Sequence, residues 1–179
     1  PGDGNKKINT KISDIGQLFN KQKFNKYNKE GHILLITVAM PRFAYSLFSG
    51  VIAGQMISYF EDQFSFYQEL STKIRSKLVV RLYHGDYKWN QRQRWLDKFP
   101  TIQFDNNTKM DSSVEQSRLI IATYSATTYN ETLASNIPTI IFWDSNYWEL
   151  NKISDPIFQK LKEVGIFHTS PESAARQVV

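Results

Sequence analysis

Short apolar runs rich in β-branched residues recur along the chain, separated by longer stretches whose apolar residues are three and four positions apart. Residues 33–38 (I-L-L-I-T-V) read as a buried strand that exits through Met40, Pro41 and Arg42. Between residues 45 and 77, Ile52, Met56, Tyr59, Phe60, Phe64, Tyr67, Leu70 and Ile74 keep helical spacing. They predict one long amphipathic helix with a break near Gly50 or Gly54. A second strand is expected over 78–83, a loop over 84–87, a basic helix over 90–98 and a third strand over 101–104. Ser112 and Glu115 have the spacing of a capping box and predict a helix start. Residues 119–123 then read as a strand, 127–136 as a helix and 138–143 as a strand. Ser154-Asp155-Pro156 and Ser170-Pro171-Glu172 each place a capping residue before a proline, as two final helices require, and 165–168 form a last short strand between them.

Strands that alternate with helices at this spacing imply βαβ units. The expected fold is therefore a Rossmann-like three-layer α/β/α domain with a mostly parallel sheet covered on both faces. A chain of 179 residues suits one such domain. Residues 1–31 are rich in Lys and Asn, with a weak helical pattern over 13–21, and read as a linker and short helix that follow a missing N-terminal region. Residues 32–179 form the domain. The chain opens on Pro1 and a polar stretch without a signal-peptide pattern, which is the expectation for a boundary inside a longer protein.

Composition narrows the chemistry. A hydrophobic content of 41% and an aromatic content of 14% belong to a chain that packs a core. The absence of cysteine excludes disulfides, thiolate metal sites and a cysteine nucleophile, and is compatible with a reducing cytoplasm. The apolar runs fall far short of the roughly 20 residues of a membrane-spanning helix. A net charge of +5 suits an anionic partner, whether nucleotide phosphates, nucleic acid or an acidic membrane surface. There is no Asp-x-Asp, and no His and carboxylate cluster has metal-ligand spacing, so neither a metal nor a cofactor is expected.

In an open parallel sheet the ligand lies beyond the carboxyl ends of the strands. The loops there hold Arg42, His84, Asp86, Tyr124, Ser125, Thr127, Thr128, Glu131 and Asp144. Small hydroxylated residues after a strand let a ligand approach the backbone, and free N–H groups at a helix start attract phosphate. Glu131 is suited to accept hydrogen bonds from two ribose hydroxyls. Thr128 and Glu131 equally have the spacing of a capping box, in which Glu131 binds nothing. Arg81 and His84 are placed to stabilise charge on a leaving phosphate; alternatively Arg81 pairs with a nearby carboxylate and His84 only shapes the turn. His32 and His168 read as structural. Residues 88–95 mix basic and aromatic side chains as a nucleic-acid surface would, but Trp95 and Phe99 share a helical face that fits the sheet, with Arg92 and Arg94 pointing elsewhere.

The run T-x-x-E-x-L-A-x-x-I-P-x-I-I (residues 128–141) resembles the nucleotide-sugar-binding segment of GT-B glycosyltransferases. R-L-Y-x-x-D-Y-x-W-N-Q-R-Q-R-W (81–95), A-T-Y-S-A-T-T-Y-N-E-T-L (122–133) and I-I-F-W-D (140–144) are together similar to a small bacterial family of transferases for surface carbohydrate and lipopolysaccharide synthesis. The resemblance extends from about Ile33 to the end. It implies the C-terminal, donor-binding half of a GT-B enzyme, in which Glu131 holds the ribose and Ser125, Thr127 and Thr128 face the donor diphosphate. The resemblance makes Arg42 a further donor contact; Asp144 is a candidate donor contact from its loop position, as Arg81 and His84 are candidates at the reacting phosphate from theirs. Asn136 stands where the family most often has Gly, a tolerable exchange because Asn also adopts left-handed backbone.

The implied partners are a nucleotide-sugar donor, used as substrate rather than cofactor, a glycan or lipid-linked acceptor, and the N-terminal domain of the same protein. No nucleic acid is expected. A cytoplasmic location, with peripheral association at the inner face of the membrane, fits that role, and the isolated domain is expected to turn over little. Two other readings share the residues: an epimerase or glycerophosphate-type transferase on the same scaffold, and a non-catalytic nucleic-acid-binding or scaffolding module.

Overall fold

The computed structural model describes Phe24, residues 26–43 and residues 51–178. Six strands form one sheet: β1 (His32–Ile36), β2 (Leu78–Arg81), β3 (Gln103–Phe104), β4 (Ser117–Ala122), β5 (Thr139–Phe142) and β6 (Phe167–His168). Every pairing is parallel, in the order β3-β2-β1-β4-β5-β6. This is the Rossmann order, and its direction reverses between β1 and β4. Helices α1 (Met56–Glu69), α2 (Thr72–Arg75), α3 (Gln91–Lys98), α4 (Met110–Glu115), α5 (Thr127–Ala134), α6 (Asp155–Glu163) and α7 (Pro171–Gln177) connect and flank the strands.

The layering follows from the two-residue period of β1. Ile33 and Leu35 point into the larger core cluster, which includes Phe64 and Phe66 of α1, Trp95 of α3 and Ala174 of α7. Leu34 and Ile36 point the other way, onto Phe24, Val114 and Ile137. Because both faces are covered, the β1 run is apolar throughout rather than alternating. At the edge near β6, Tyr129, Trp143, Phe158 and Phe167 pack ring on ring with centroids 4.9 to 6.2 Å apart.

The linker and short helix expected over 1–31 fall mostly outside the described residues. Within that stretch Phe24 is buried and its N–H donates to the Ser135 Oγ at 3.2 Å. A Cβ on Gly31 would lie 2.0 Å from the Gln116 carbonyl oxygen, so only glycine fits where the chain enters β1. The packed body thus takes in residues that composition assigned to a linker.

Three local expectations are corrected. The long helix is two helices: Leu70 turns extended at ψ 144°, and the Ser71 hydroxyl caps a new turn by accepting from the Ile74 N–H. Ser112 does not start a helix, because α4 begins two residues earlier, and no side chain caps it at Lys109. Ser154 does not cap α6 with its side chain; the Asn151 carboxamide oxygen instead accepts from the N–H groups of Ile153 and Ser154. The Ser170 hydroxyl does cap α7, by accepting from the Ser173 N–H. Among the described residues no helix is long and apolar enough to cross a membrane.

Candidate functional site

The reversal of strand order places the loops after β1 and β4 side by side, because these strands are neighbours with Ile36 opposite Ala122. The floor between them is a closed chain of hydrogen bonds. The Val38 N–H donates to the Tyr59 hydroxyl oxygen at 2.9 Å, and Tyr59 and Thr123 share a hydroxyl contact of 2.6 Å. Thr123 Oγ1 lies 2.8 Å from the Ile36 carbonyl oxygen, which can only accept. The single Thr123 proton is therefore committed there, so Tyr59 donates to Thr123 and accepts from Val38. Burial pushes the Tyr59 phenol well above its usual range, and the ring stays neutral. Beyond Ile36 the Thr37 N–H still donates to the Arg81 carbonyl of β2 at 3.0 Å, and Tyr59 takes the Val38 N–H that follows. The spacing of Tyr59 marked it only as a core residue; nothing in sequence separates a phenol that bridges two strands from a phenylalanine.

Above this floor β4 runs into the 123–126 turn and α5. The α5 N-cap is Ala126, extended at φ −149° and ψ 179°, with no side-chain capping bond. Thr127 and Thr128 are the first two helical residues, and Glu131 is the fifth. A capping box would need its hydroxyl at position 126 and its carboxylate at position 129, where the chain has Ala and Tyr. The capping alternative for Thr128 and Glu131 is thereby removed. Ser125 and Thr127 are exposed, and Thr128 and Glu131 are half-buried. The far end of α5 stops at Asn136, whose φ of 54° is the left-handed backbone that Asn in place of Gly was expected to allow.

Arg42 follows β1 and is exposed, its guanidinium 5.4 Å from the Trp89 ring centroid and 5.9 Å from that of Phe43. Trp89 is fixed beneath it by an indole N–H bond of 2.7 Å to the Met40 carbonyl. Asp144 follows β5 and is half-buried. Its carboxylate accepts from the Asn146 N–H at 2.8 Å, and its carbonyl accepts from Tyr147 and Trp148.

Arg81, the last residue of β2, reaches toward β3 and α4. Its guanidinium pairs with the Asp105 carboxylate and donates to the Asn107 carbonyl at 2.8 Å, the Ser113 hydroxyl at 2.9 Å and the Thr108 carbonyl at 3.3 Å. Burial pushes the Asp105 carboxyl up, but the Ser113 hydroxyl, the Asn107 N–H and Arg81 outweigh it and hold the group below the usual carboxylate range. This is the carboxylate partner that the alternative reading gave Arg81. His84 is exposed, its ring 4.3 Å from that of Tyr83.

The loop after His84 is tightly built. Tyr87, Lys88 and Asn90 all have positive φ, at 49°, 65° and 52°. The Asp86 carboxylate secures them, accepting from Asn90 N–H at 3.0 Å and Gln91 N–H at 2.8 Å at the start of α3. Burial raises Asp86, yet those N–H groups prevail and keep it ionised below its usual range. The basic residues of α3 also have partners. Arg94 donates to the Trp89 carbonyl at 2.7 Å, and Arg92 sits 4.1 Å from the Phe104 ring centroid.

His168 and His32 take structural positions. His168 Nε2 donates to the Gly165 carbonyl, leaving Nδ1 as the partner of the Ser173 hydroxyl at 2.8 Å. Ser117 spends its proton on the Ser113 carbonyl at 2.6 Å, so His32 donates to it at 3.0 Å.

Sequence reasoning passed over Asp62. It lies on α1 between Tyr59 and Phe66, a carboxylate inside an apolar stripe, and that placement was the available signal. Burial first, then the charges of Asp144, Glu172 and Glu61, push it up to about 6.

The loops that follow the neighbouring strands β1 and β4 thus carry Arg42 and residues 125–128 at the same rim of the sheet, with Asp144 after the next strand beyond β4. His84 lies on the opposite side of β1, and Arg81 is turned away toward β3. No curated protein and no solved structure matches the chain. What the Rossmann order and the loops at its reversal leave open about the kind of chemistry is narrowed by one match, to the LIC12162 family transferase over residues 4–179, and the chain belongs to that family of transferases.

Proposed function

We propose that this transferase is a nucleotide-sugar-dependent glycosyltransferase of the GT-B type, that the described domain is its donor-binding half, and that it serves bacterial surface polysaccharide or lipopolysaccharide synthesis. The observation that carries the reading is the start of α5, which has no side-chain cap, carries exposed Ser125 and Thr127, and sits at the reversal point of a parallel sheet. A helix start of this kind offers N–H groups and the positive end of a dipole to a diphosphate. Thr127 and Thr128 add hydroxyl donors, and Arg42 supplies a full positive charge from the loop after the neighbouring β1. Glu131, one turn further on, takes the ribose hydroxyls, and Asp144 borders the same rim from β5.

Negative charge that builds on the departing diphosphate is met by the α5 start and Arg42, both fixed before the reaction begins. His84 is the imidazole donor on the far side of β1. Arg81 supports it indirectly, by holding the end of β2. The acceptor is a glycan or lipid-linked sugar, and the base that deprotonates it comes from the N-terminal domain.

Thermal shift with UDP-, GDP- and CDP-sugars and CMP-sugars tests the reading. At a hundredfold excess over Kd, native-state binding stabilises by about 2.7 kcal/mol, which raises Tm by roughly 5–10 °C in a chain of this size. One nucleotide class should produce that rise in the parent and lose most of it in Glu131→Ala. A panel that leaves Tm unmoved, or moves both proteins equally, contradicts it.

A further inference from the structure

One groove lies outside the donor reading. It opens at the N-terminal ends of β4, β5 and β6, with a volume of about 700 Å³. That lies within the range of small-molecule sites. β4 alone is six residues long, roughly 16 Å end to end, so this groove and the α5 start occupy opposite rims of the sheet.

Its lining combines apolar walls with unopposed positive charge. Leu133, Pro138 and Val164 supply apolar surface, and Val164 is 65% exposed at the lip. Arg118 and Lys29 also line the groove, and no Asp or Glu does. Arg118 Nε is buried from solvent and has no hydrogen-bond partner. Among the described residues nothing accepts a bond from this Nε, whereas the Arg81 guanidinium meets four acceptors. Buried polar atoms nearly always have a partner, and a guanidinium cannot lose its charge to escape the cost. Gln177 lies across the groove floor over Gly165, whose φ is +73°. A Cβ at Gly165 would meet the Gln177 carboxamide at 3.0 to 3.1 Å, so the bare glycine leaves room for that amide donor.

We infer that this groove binds a phosphate monoester with an apolar substituent, the phosphate oxygens on Arg118 and the substituent against Leu133, Pro138 and Val164. The arginine fork matches two phosphate oxygens at once. Two cations without a carboxylate favour a dianion, and apolar walls favour a hydrocarbon body over a bare ion. The site is independent of the donor crevice and stands whichever nucleotide, if any, binds there.

Calorimetric titration of the 179-residue chain with hexyl phosphate, inorganic phosphate and hexanol tests it. Hexyl phosphate should bind one-to-one, at least tenfold tighter than inorganic phosphate, with no binding of hexanol. Arg118→Gln should weaken it at least tenfold. Val164→Asp, at an exposed position that leaves the core intact, should weaken it comparably while circular dichroism stays unchanged. Affinity should also fall severalfold from pH 7.5 to 5.5, because the second proton returns to a phosphate monoester near pH 6. The inference is overturned by no binding of hexyl phosphate up to ~10 mM, a Kd that corresponds to under about 3 kcal/mol. Equal affinity in the parent and both variants overturns it too, and so does inorganic phosphate binding as tightly as the ester.

Discussion

Asp62 is under electrostatic tension at the scale of single residues. Its carboxyl, pushed up to about 6 by burial and by Asp144, Glu172 and Glu61, binds its proton more tightly in the folded chain than in the unfolded one, where it titrates near 4. A raised carboxylate favours the folded state at low pH and loses that contribution as pH climbs from about 4 through 6. At neutral pH the charge is therefore a cost, on the order of 1 kcal/mol once the water that still reaches the half-buried group is allowed for. Asp62→Asn is expected to raise Tm at pH 7.5 and to give no gain at pH 4, as thermal melts across that range would show. A gain that did not depend on pH would mean that packing rather than charge is at work. The brace formed by Tyr59 and Thr123 belongs to the same scale. It sets where the β1 and β4 loops diverge, and it was invisible in sequence because a buried phenol and a buried phenyl have the same periodicity.

Among the elements, Arg81 joins β2 to the loop after β3 and to α4 through Asp105, Asn107 and Ser113. The Asp105 side chain is 2% exposed, so losing its cation leaves a buried carboxylate unpaired. Arg81→Met should cost about 3 kcal/mol in denaturant unfolding. It should also speed hydrogen exchange in α4 more than in α5. If stability is untouched while activity of the full protein is lost, Arg81 acts at the reacting phosphate instead. The elements themselves were largely legible in sequence. β1, β2, β4 and β5 emerged from apolar β-branched runs, which for β1 and β5 follow from burial on both faces. Boundaries were less legible where side chains compete with the backbone. The Ser71 hydroxyl starts α2 and the Asn151 side chain orders the turn before α6, each by accepting bonds that pattern alone does not reveal.

Across the described residues the fold is a six-stranded parallel sheet whose order reverses at β1 and β4, and alternation of strands and helices foretold its three layers. Strand order was not written in the pattern, since pairing partners are chosen by contacts distant in sequence. The reversal falls between β1 and β4, the strands whose following loops hold Arg42 and residues 125–128. The groove around Arg118 was illegible for the opposite reason. Arg118, Lys29 and Val164 are scattered along the chain and share a wall only after β4, β5 and β6 align. The two rims of the sheet differ accordingly: one presents polar loops and a helix start, the other a cation above apolar walls.

The most direct measurement is a titration of the isotope-labelled chain with UDP, GDP and CDP, followed by amide chemical shifts. One nucleoside diphosphate should produce its largest shifts at the amides of residues 125–129, with Arg42 responding and the amides around Arg118 still. Shifts that gather around Arg118 and Gly165, or that leave the start of α5 unmoved at saturating nucleotide, would contradict the account.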